Sequence, residues 1–389
     1  MKKIPLLLLI IFCASKSVHA QDDRRPITTG VPFLLIAADA RAAGMGDMGV
    51  ATPVDAFSQQ WNAAKYAFSE SKTGVGLSYT PYLRELVSDI NLANLSYFNR
   101  INERSAFAAS LRYFALGEVE LRETADQVPR IASPNEFALD LSYSLRLSEQ
   151  FSMAVTGRYI NSQLRIPTGI AEANGASSFG ADISMFYRSE EKFYKDFNGR
   201  WRGGLAISNI GPKIKYDDAG QENFLPTNFK AGAGFDFILD ASNTIGVHLE
   251  FNKLLVPTPP RIERNEQGQI SQESQQALQD YREENEFAAI FNSWGDAPDG
   301  FSEELKEITW ALGAEYWFED SFAARLGYFN ESEEKGFRQF VTMGLGFKFN
   351  AIVIDASYLF STTTVQNPLE GTLRFGLTFN IGDNTYIEY

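Results

Sequence analysis

The chain is poor in the residues on which most site chemistry depends. It has one cysteine, Cys13, and two histidines, His19 and His248, among 389 residues. Cys13 and His19 both lie in the first twenty residues, a stretch that reads as a removable leader. What remains has no thiol, so disulfides and thiolate chemistry are excluded. The remaining His248 cannot build a zinc site or a Ser-His triad alone, and it reads as a lumen or surface histidine. After residue 20 no run of eighteen apolar residues occurs, which excludes a transmembrane helix. Basic residues are also short, 35 against 49 acidic. That balance argues against nucleic acid as a partner.

The leader has its own signature. Lys2 and Lys3 precede the apolar run "IPLLLLIIFCA", and "SVHA" ends at Ala20, giving cleavage before Gln21. Phe12 ahead of Cys13 does not frame a lipoprotein cysteine. Removing residues 1–20 takes away Lys2, Lys3 and Lys16 and no acid, leaving 32 basic against 49 acidic residues, a net of −17.

From residue 73 onward the sequence alternates with period two. In "TLRFGLTFNI", Leu373, Phe375, Leu377, Phe379 and Ile381 share one strand face, while Arg374, Gly376, Thr378 and Asn380 share the other. "FALDLSYSLRL" and "AIVIDASYLF" repeat the pattern, with Asp140, Ser142, Arg146 and Asp355 on the polar side. Fourteen such segments occur, centred on residues 73–80, 90–99, 105–116, 136–147, 151–163, 176–188, 200–209, 227–238, 243–253, 308–318, 321–330, 337–349, 351–361 and 372–381. About 9–11 residues is the length a tilted strand needs to cross a bilayer. The connections after even-numbered segments are short, apart from "RSEEKFYKDFNG". Those after odd-numbered segments include residues 117–135, 164–175, 210–226 and 254–307. Short inner turns alternating with long outer loops is the pattern of an outer-membrane barrel. Tyr79, Tyr82, Tyr97, Tyr113, Tyr187, Trp201, Trp310 and Trp317 fall near strand ends and fit an interfacial aromatic girdle. The fold class read from this is all-β: a 14-stranded antiparallel transmembrane β-barrel over residues 71–389, with an N-terminal Gly/Ala-rich plug over 21–70 and one long extracellular loop containing a helix. Gly376, Phe379 and Ile381 in the last strand have the spacing of an outer-membrane assembly signal.

The loop over 254–307 is acidic, with twelve acids and four bases between Arg261 and Glu307. It opens with the stiff "VPTPPR". The spacing predicts a helix over 271–291 with Ser271 as N-cap. Tyr281, Phe287, Phe291 and Trp294 are its candidate partner anchors. "DAPDGFSEE" lacks the alternating oxygen-ligand spacing of a calcium loop, and acidic loops are more often solvated faces than acid–base sites. No metal, cofactor or catalytic set is expected. Near the N-terminus, Gly44, Gly46 and Gly49 in "GMGDMG" reproduce the G-x-G-x-x-G spacing of a dinucleotide turn. Pro53, four residues on, leaves no room for the helix that would hold a pyrophosphate. Those glycines therefore read as points where the plug backbone turns and approaches the barrel wall closely.

The plug ends in "NAA" at Asn62, and this layout of plug and fourteen strands resembles the long-chain fatty-acid transporter barrels. More closely, "TGVPFLLIAADARAAGMGDMGVATPVDAFSQQWNAAKYAF" resembles the start of the PorV family, barrel subunits of the type IX secretion system of Bacteroidetes. "LRYFALGEVELRE", "PNEFALDLSYSLRLSEQFSMAVTGRYINSQL" and "TNFKAGAGFDF" resemble it further on. The resemblance implies a non-enzymatic outer-membrane protein. Its partners would be a large translocon barrel, secreted cargo with a C-terminal signal domain, a surface attachment complex and outer-membrane lipid. The alternative is a transporter of long-chain fatty acids or other hydrophobic small molecules, by architecture alone.

Overall fold

The computed structural model describes residues 25–84, 87–122, 126–164, 175–216, 221–265, 268–363, 369–382 and 385. The expected leader, with Ala20 and Gln21, lies outside the described residues.

Fourteen antiparallel strands close into one barrel. They are β1 (Thr73–Pro81), β2 (Ile90–Arg100), β3 (Ser105–Leu116), β4 (Asn135–Arg146), β5 (Phe151–Gln163), β6 (Ala176–Arg188), β7 (Phe197–Ile210), β8 (Asn228–Ile238), β9 (Asn243–Leu254), β10 (Thr309–Phe318), β11 (Phe322–Asn330), β12 (Gln339–Phe349), β13 (Ile352–Ser361) and β14 (Leu373–Ile381). Each pairs with its sequence neighbours. The seam is made by β1 against β14, from Thr73 opposite Ile381 to Tyr79 opposite Phe375. Closure leaves no unpaired strand edge, as a hydrocarbon surrounding requires.

The barrel is apolar outside and polar inside. Leu141 is 71% exposed and Leu345 68% exposed, and both face outward. Their alternation partners Asp140, Ser142 and Ser144 are buried, as are Asp355 and Arg374. Tyr79, Tyr97, Tyr113, Tyr187 and Trp201 lie on the outer face. Two members of the expected girdle do not. Tyr82 packs inward against Phe114, and Trp317 lines the lumen beneath Arg325. Trp317 shares the parity of Glu315, which points inward to a charge partner, and strand parity overrides the interfacial preference of one ring. The inner turns are tight: between Phe318 and Phe322, which face each other across β10 and β11, only three residues intervene, and Glu319 and Asp320 both take φ near +50°. The long inner connection after β6 folds back as Lys192–Tyr194 paired to the start of β7, so it adds a short flap.

The segment from Arg25 to Lys72 runs through the lumen from the outer mouth to the inner one. It contains the 3-10 turn Pro32–Leu35, the short helices α1 (Ala40–Ala43) and α2 (Ser58–Trp61), and a second 3-10 turn, Ala63–Phe68. Almost every residue from Ala37 to Phe68 is buried. Two places fix how near this plug comes to the wall. Gly204 on β7 pairs with Gly232 on β8, and a Cβ built on Gly204 would overlap the Val50 carbonyl. On the opposite side Gly46, at φ 84°, lies against the backbone of Tyr328, and a Cβ on Gly327 would overlap the Met45–Gly46 peptide. The chain that follows Gly49 is not helical until Ser58; Gly46 lies against wall backbone and Gly49 against the Trp61 ring.

Gly204→Val should therefore prevent plug and wall from docking, costing more than the ~1–3 kcal/mol of ordinary overpacking because the obstructing atom is backbone. Gly157→Ala, with open space around it, should be silent. Heat-modifiable migration of the barrel on gels distinguishes the two.

Candidate functional site

Inside the barrel, wall side chains satisfy the backbone of a segment that has little regular structure. Glu250 accepts hydrogen bonds from the N–H groups of Gly49 and Val50, both 2.8 Å, and Thr342 Oγ1 accepts from Gly46 N at 2.9 Å. Asn62 donates to the carbonyls of Val50 (2.9 Å) and Met185 (2.8 Å), and its Oδ1 caps the next turn by accepting from Ala64 N. Asp39 caps α1 through Ala42 N and accepts from the Trp61 indole at 2.7 Å. Gly49 packs directly beneath the Trp61 ring, and Gly44 against Gly344. Arg41 anchors the plug by a two-point bond to Glu315 (2.9 and 2.7 Å) and a third contact to Asp55 (3.0 Å). Arg325 bridges the same Glu315 to Asp355, at 2.6 and 2.7 Å. Arg41, Glu315, Arg325 and Asp355 thus each have an opposite charge in hydrogen-bond geometry, which is the condition for keeping them buried. None of these groups is arranged as nucleophile, base and orienting acid.

The plug leaves a cavity at each mouth. The inner one, about 460 Å³, is lined by charged side chains including Arg200, Arg202 and Asp236. The outer one, about 550 Å³, is bounded by Phe33, Phe114, Phe329 and Phe340, with Lys230, Arg338 and Arg374 among its polar groups.

Over the outer mouth sits the long loop. The expected single helix is two: α3 (Gln272–Glu283) and α4 (Glu286–Asn292), followed by a third, α5 (Phe301–Lys306). Ser271 does cap the first. The break has a local cause: the Asn285 side chain accepts from the N–H groups of Phe287 and Ala288, starting a new helix. Of the four candidate anchors, two hold the loop down. Tyr281 stacks edge-on against Phe224, and Trp294 packs against Phe229 beside the Lys253 ammonium. Phe287 and Phe291 face out, the latter 78% exposed, and they are joined by Phe301 and Leu305, which the sequence reading did not single out. Gly376 faces the plug at Ala40, while Phe379 and Ile381 face outward on the seam strand.

What the sequence reading missed is the latch beneath this loop. Lys253, at the end of β9, contacts Glu304 (3.0 Å) and Glu307 (2.5 Å). Lys335, between β11 and β12, contacts Glu303 (2.6 Å) and Glu307 (2.9 Å). Arg25 adds Asp299 and Glu303 at 2.5 and 2.8 Å. All but Asp299 are buried or nearly so. Asp296, Glu304 and Glu307 bring carboxylate oxygens within 4.8 Å of one another, a spacing that fits a cation. Lys253 already contacts Glu304 and Glu307 of this group, and Asp296 accepts from Thr258 N and Oγ1 at 3.0 Å. Burial alone would raise the Glu307 pKa, but hydrogen bonds from Lys253, Thr258 and Lys335 outweigh it and hold this carboxyl below the usual range. The only sequence signal for the latch was a lysine, Lys253, at an inward strand position facing a run of acids.

Two outcomes follow. A carboxyl with a depressed folded pKa contributes stability above its unfolded pKa and loses it as pH falls through the folded one. The loop should thus stay protease-resistant at pH 7 and open only well below the ordinary carboxylate range. Lys335→Met, which takes one of two cationic partners from each of the buried carboxylates Glu303 and Glu307, should cost about 2 kcal/mol and expose the loop to trypsin at pH 7 while the barrel resists. Mass spectrometry of the fragments reads both.

The sequence matches the family model described as type IX secretion system protein PorV over residues 19–261. No curated protein sequence matches the chain. Solved structures similar to it include a Pseudomonas aeruginosa FadL homologue, at 12% identity over 92% of this chain and 99% of that one, with a TM-score of 0.45. The Pseudomonas putida toluene transporter TodX is similar at 9% identity, over 88% and 96% of the two chains, with a TM-score of 0.45. The Ralstonia pickettii toluene transporter TbuX is similar at 10% identity, over 90% and 100%, with a TM-score of 0.45. The family match spans more than half of a chain that folds as a closed barrel, apolar outside and filled with a polar-held plug. The chain belongs to the PorV family and is an outer-membrane component of the type IX secretion system.

Proposed function

We propose that this barrel binds secreted cargo through the C-terminal signal domain, together with the translocon barrel, and passes the cargo to the surface attachment complex. The observation that carries the reading is the outer loop. It is pinned to the barrel by buried ion pairs yet presents Phe287, Phe291, Phe301 and Leu305 to solvent. Exposed aromatics on a rigidly held support are the usual anchors of a protein interface, because little ordering cost remains to be met on binding. The acidic surroundings favour a basic partner surface and speed encounter with it. Family membership points to a secretion component rather than a catalyst. The final-strand residues Gly376, Phe379 and Ile381 act, on this reading, in assembly of the barrel rather than in cargo handling.

A second reading, passage of a hydrophobic small molecule, draws support from the aromatic rings around the outer cavity. The ion-paired plug beneath it favours the first.

The double variant Phe287→Ser/Phe291→Ser leaves every latch contact in place. It should reduce cargo at the cell surface at least tenfold with the amount of folded barrel unchanged, measured by surface proteolysis and immunoblot. Normal secretion by this variant would sink the assignment of the loop.

A further inference from the structure

The outer cavity holds more unmet polar groups than its setting explains. Lys230, on β8, lies over the Trp61 ring at 4.4 Å and makes no ion pair within 4 Å among the described residues; the carboxylate whose charge it feels most is Glu250, which is bonded to the plug N–H groups of Gly49 and Val50. Arg374, on β14, is 2% exposed. Among the described residues its one ion contact is a long 3.4 Å to Asp47, and its Nε is buried without a partner. The neighbouring Arg338 differs, being satisfied by a two-point bond to Glu331 at 2.8 Å. Once Arg338–Glu331 and Lys335–Glu307 are paired, the groups lining the cavity that lack a close ion pair are two cations, Lys230 and Arg374, against one carboxylate, Asp47. Acceptors are also unmet: Asn228 Oδ1, Asn252 Oδ1 and Asp47 Oδ1 are buried without a donor. All five residues line the same cavity of about 550 Å³, whose remaining faces include Phe33, Phe114, Phe329 and Phe340.

Orphaned buried polar groups are costly, and together they describe what would satisfy them. The cations ask for an acid group. The amide and carboxylate oxygens ask for N–H donors nearby. The rings ask for apolar side chains. A simple alkyl acid offers the first and third but no N–H. A polypeptide ending in a free carboxylate offers all three within a few residues, and capture of a chain terminus in a polar nest is a known mode of peptide recognition.

We propose that the outer cavity binds the free C-terminal end of a polypeptide, with its carboxylate on Lys230 and Arg374 and its last backbone N–H groups on Asn228 and Asn252. The inference rests on the reading of this barrel as a cargo receptor, which supplies the polypeptide. It assigns the cargo's terminus to the cavity and leaves the exposed loop to contact the folded part.

The test uses the full-length protein in dodecyl maltoside. The probes are an N-acetylated octapeptide copying the last eight residues of a cargo signal domain, made as the free acid and as the amide, and sodium laurate. Calorimetry should show the acid binding at least tenfold more tightly than the amide. Lys230→Gln should erase that difference while heat-modifiable migration stays normal. Asn252→Leu should weaken acid and amide by similar factors. Equal affinity of acid and amide would overturn the proposal, as would binding of laurate with neither peptide. Capture of the intact signal domain by the unaltered protein is measured separately. If the domain is captured and amidation makes no difference, the cavity assignment falls and the receptor reading stands. If the octapeptide acid binds through Lys230 and the domain is not captured, the receptor reading falls and the carboxylate site stands.

Discussion

The structure depends on one close approach: the backbone of the plug lies directly on the backbone of the wall. A barrel of fourteen strands is too wide to be filled by its own side chains. The chain fills it with a segment that has almost no regular hydrogen bonding of its own. Such a segment is stable only if its N–H and C=O groups find partners, and at contact distance the wall can supply them. Glycines at Gly204, Gly232 and Gly327 set that distance. The wall's polar face then follows. Glu250, Thr342 and Arg112 point inward because the plug's amides and carbonyls are there to receive them. The charges that remain are paired across the boundary by Arg41, Glu315, Arg325 and Asp355, so plug and wall become one cooperative body.

The barrel was legible in the sequence because strand faces impose a period of two on every segment, and two environments of opposite polarity make that period visible. The strand boundaries fall within a few residues of those expected, and the parity of long and short connections holds. The plug was legible for a different reason, a composition of small residues without alternation. Its individual contacts were not. Nothing local in "DARAAG" indicates that Arg41 meets Glu315 some 270 residues later. The same limit hid the latch, since Lys253 and Lys335 are far from each other in sequence and gain meaning only when β9 and the loop after β11 come together. Asn285 shows the opposite case. A capping residue in the middle of a helical pattern did carry the information that the helix breaks, and periodicity masked it.

The two mouths of the barrel are built for different tasks. At the inner mouth the connections are short apart from the flap after β6, and the cavity there is walled by charges. At the outer mouth the connections grow ribbons and helices. Val119–Leu121 pairs with Arg130–Ala132, Ile214–Lys215 pairs with Glu222–Asn223, and three helices ride on the latch. Exposed aromatic side chains that would be a liability elsewhere gather on this rigid rim. Stability and recognition are thereby separated. The ion pairs beneath the loop hold it in place, and the rings above it are free to be replaced without loosening the support.

The path of the plug also settles a matter of parity. An even number of strands returns a chain to the side from which it set out, and β1 begins where β14 ends, with Lys72 N–H bonded to the Gly382 carbonyl. The plug makes one further passage through the lumen, since Arg25 is bonded among the outer-loop residues Glu334, Asp299 and Glu303. Among the described residues the chain thus makes fifteen passages between the two mouths, fourteen in the wall and one through the lumen. The described chain therefore has its two ends on opposite sides: Arg25 at the outer mouth and Gly382 at the inner one.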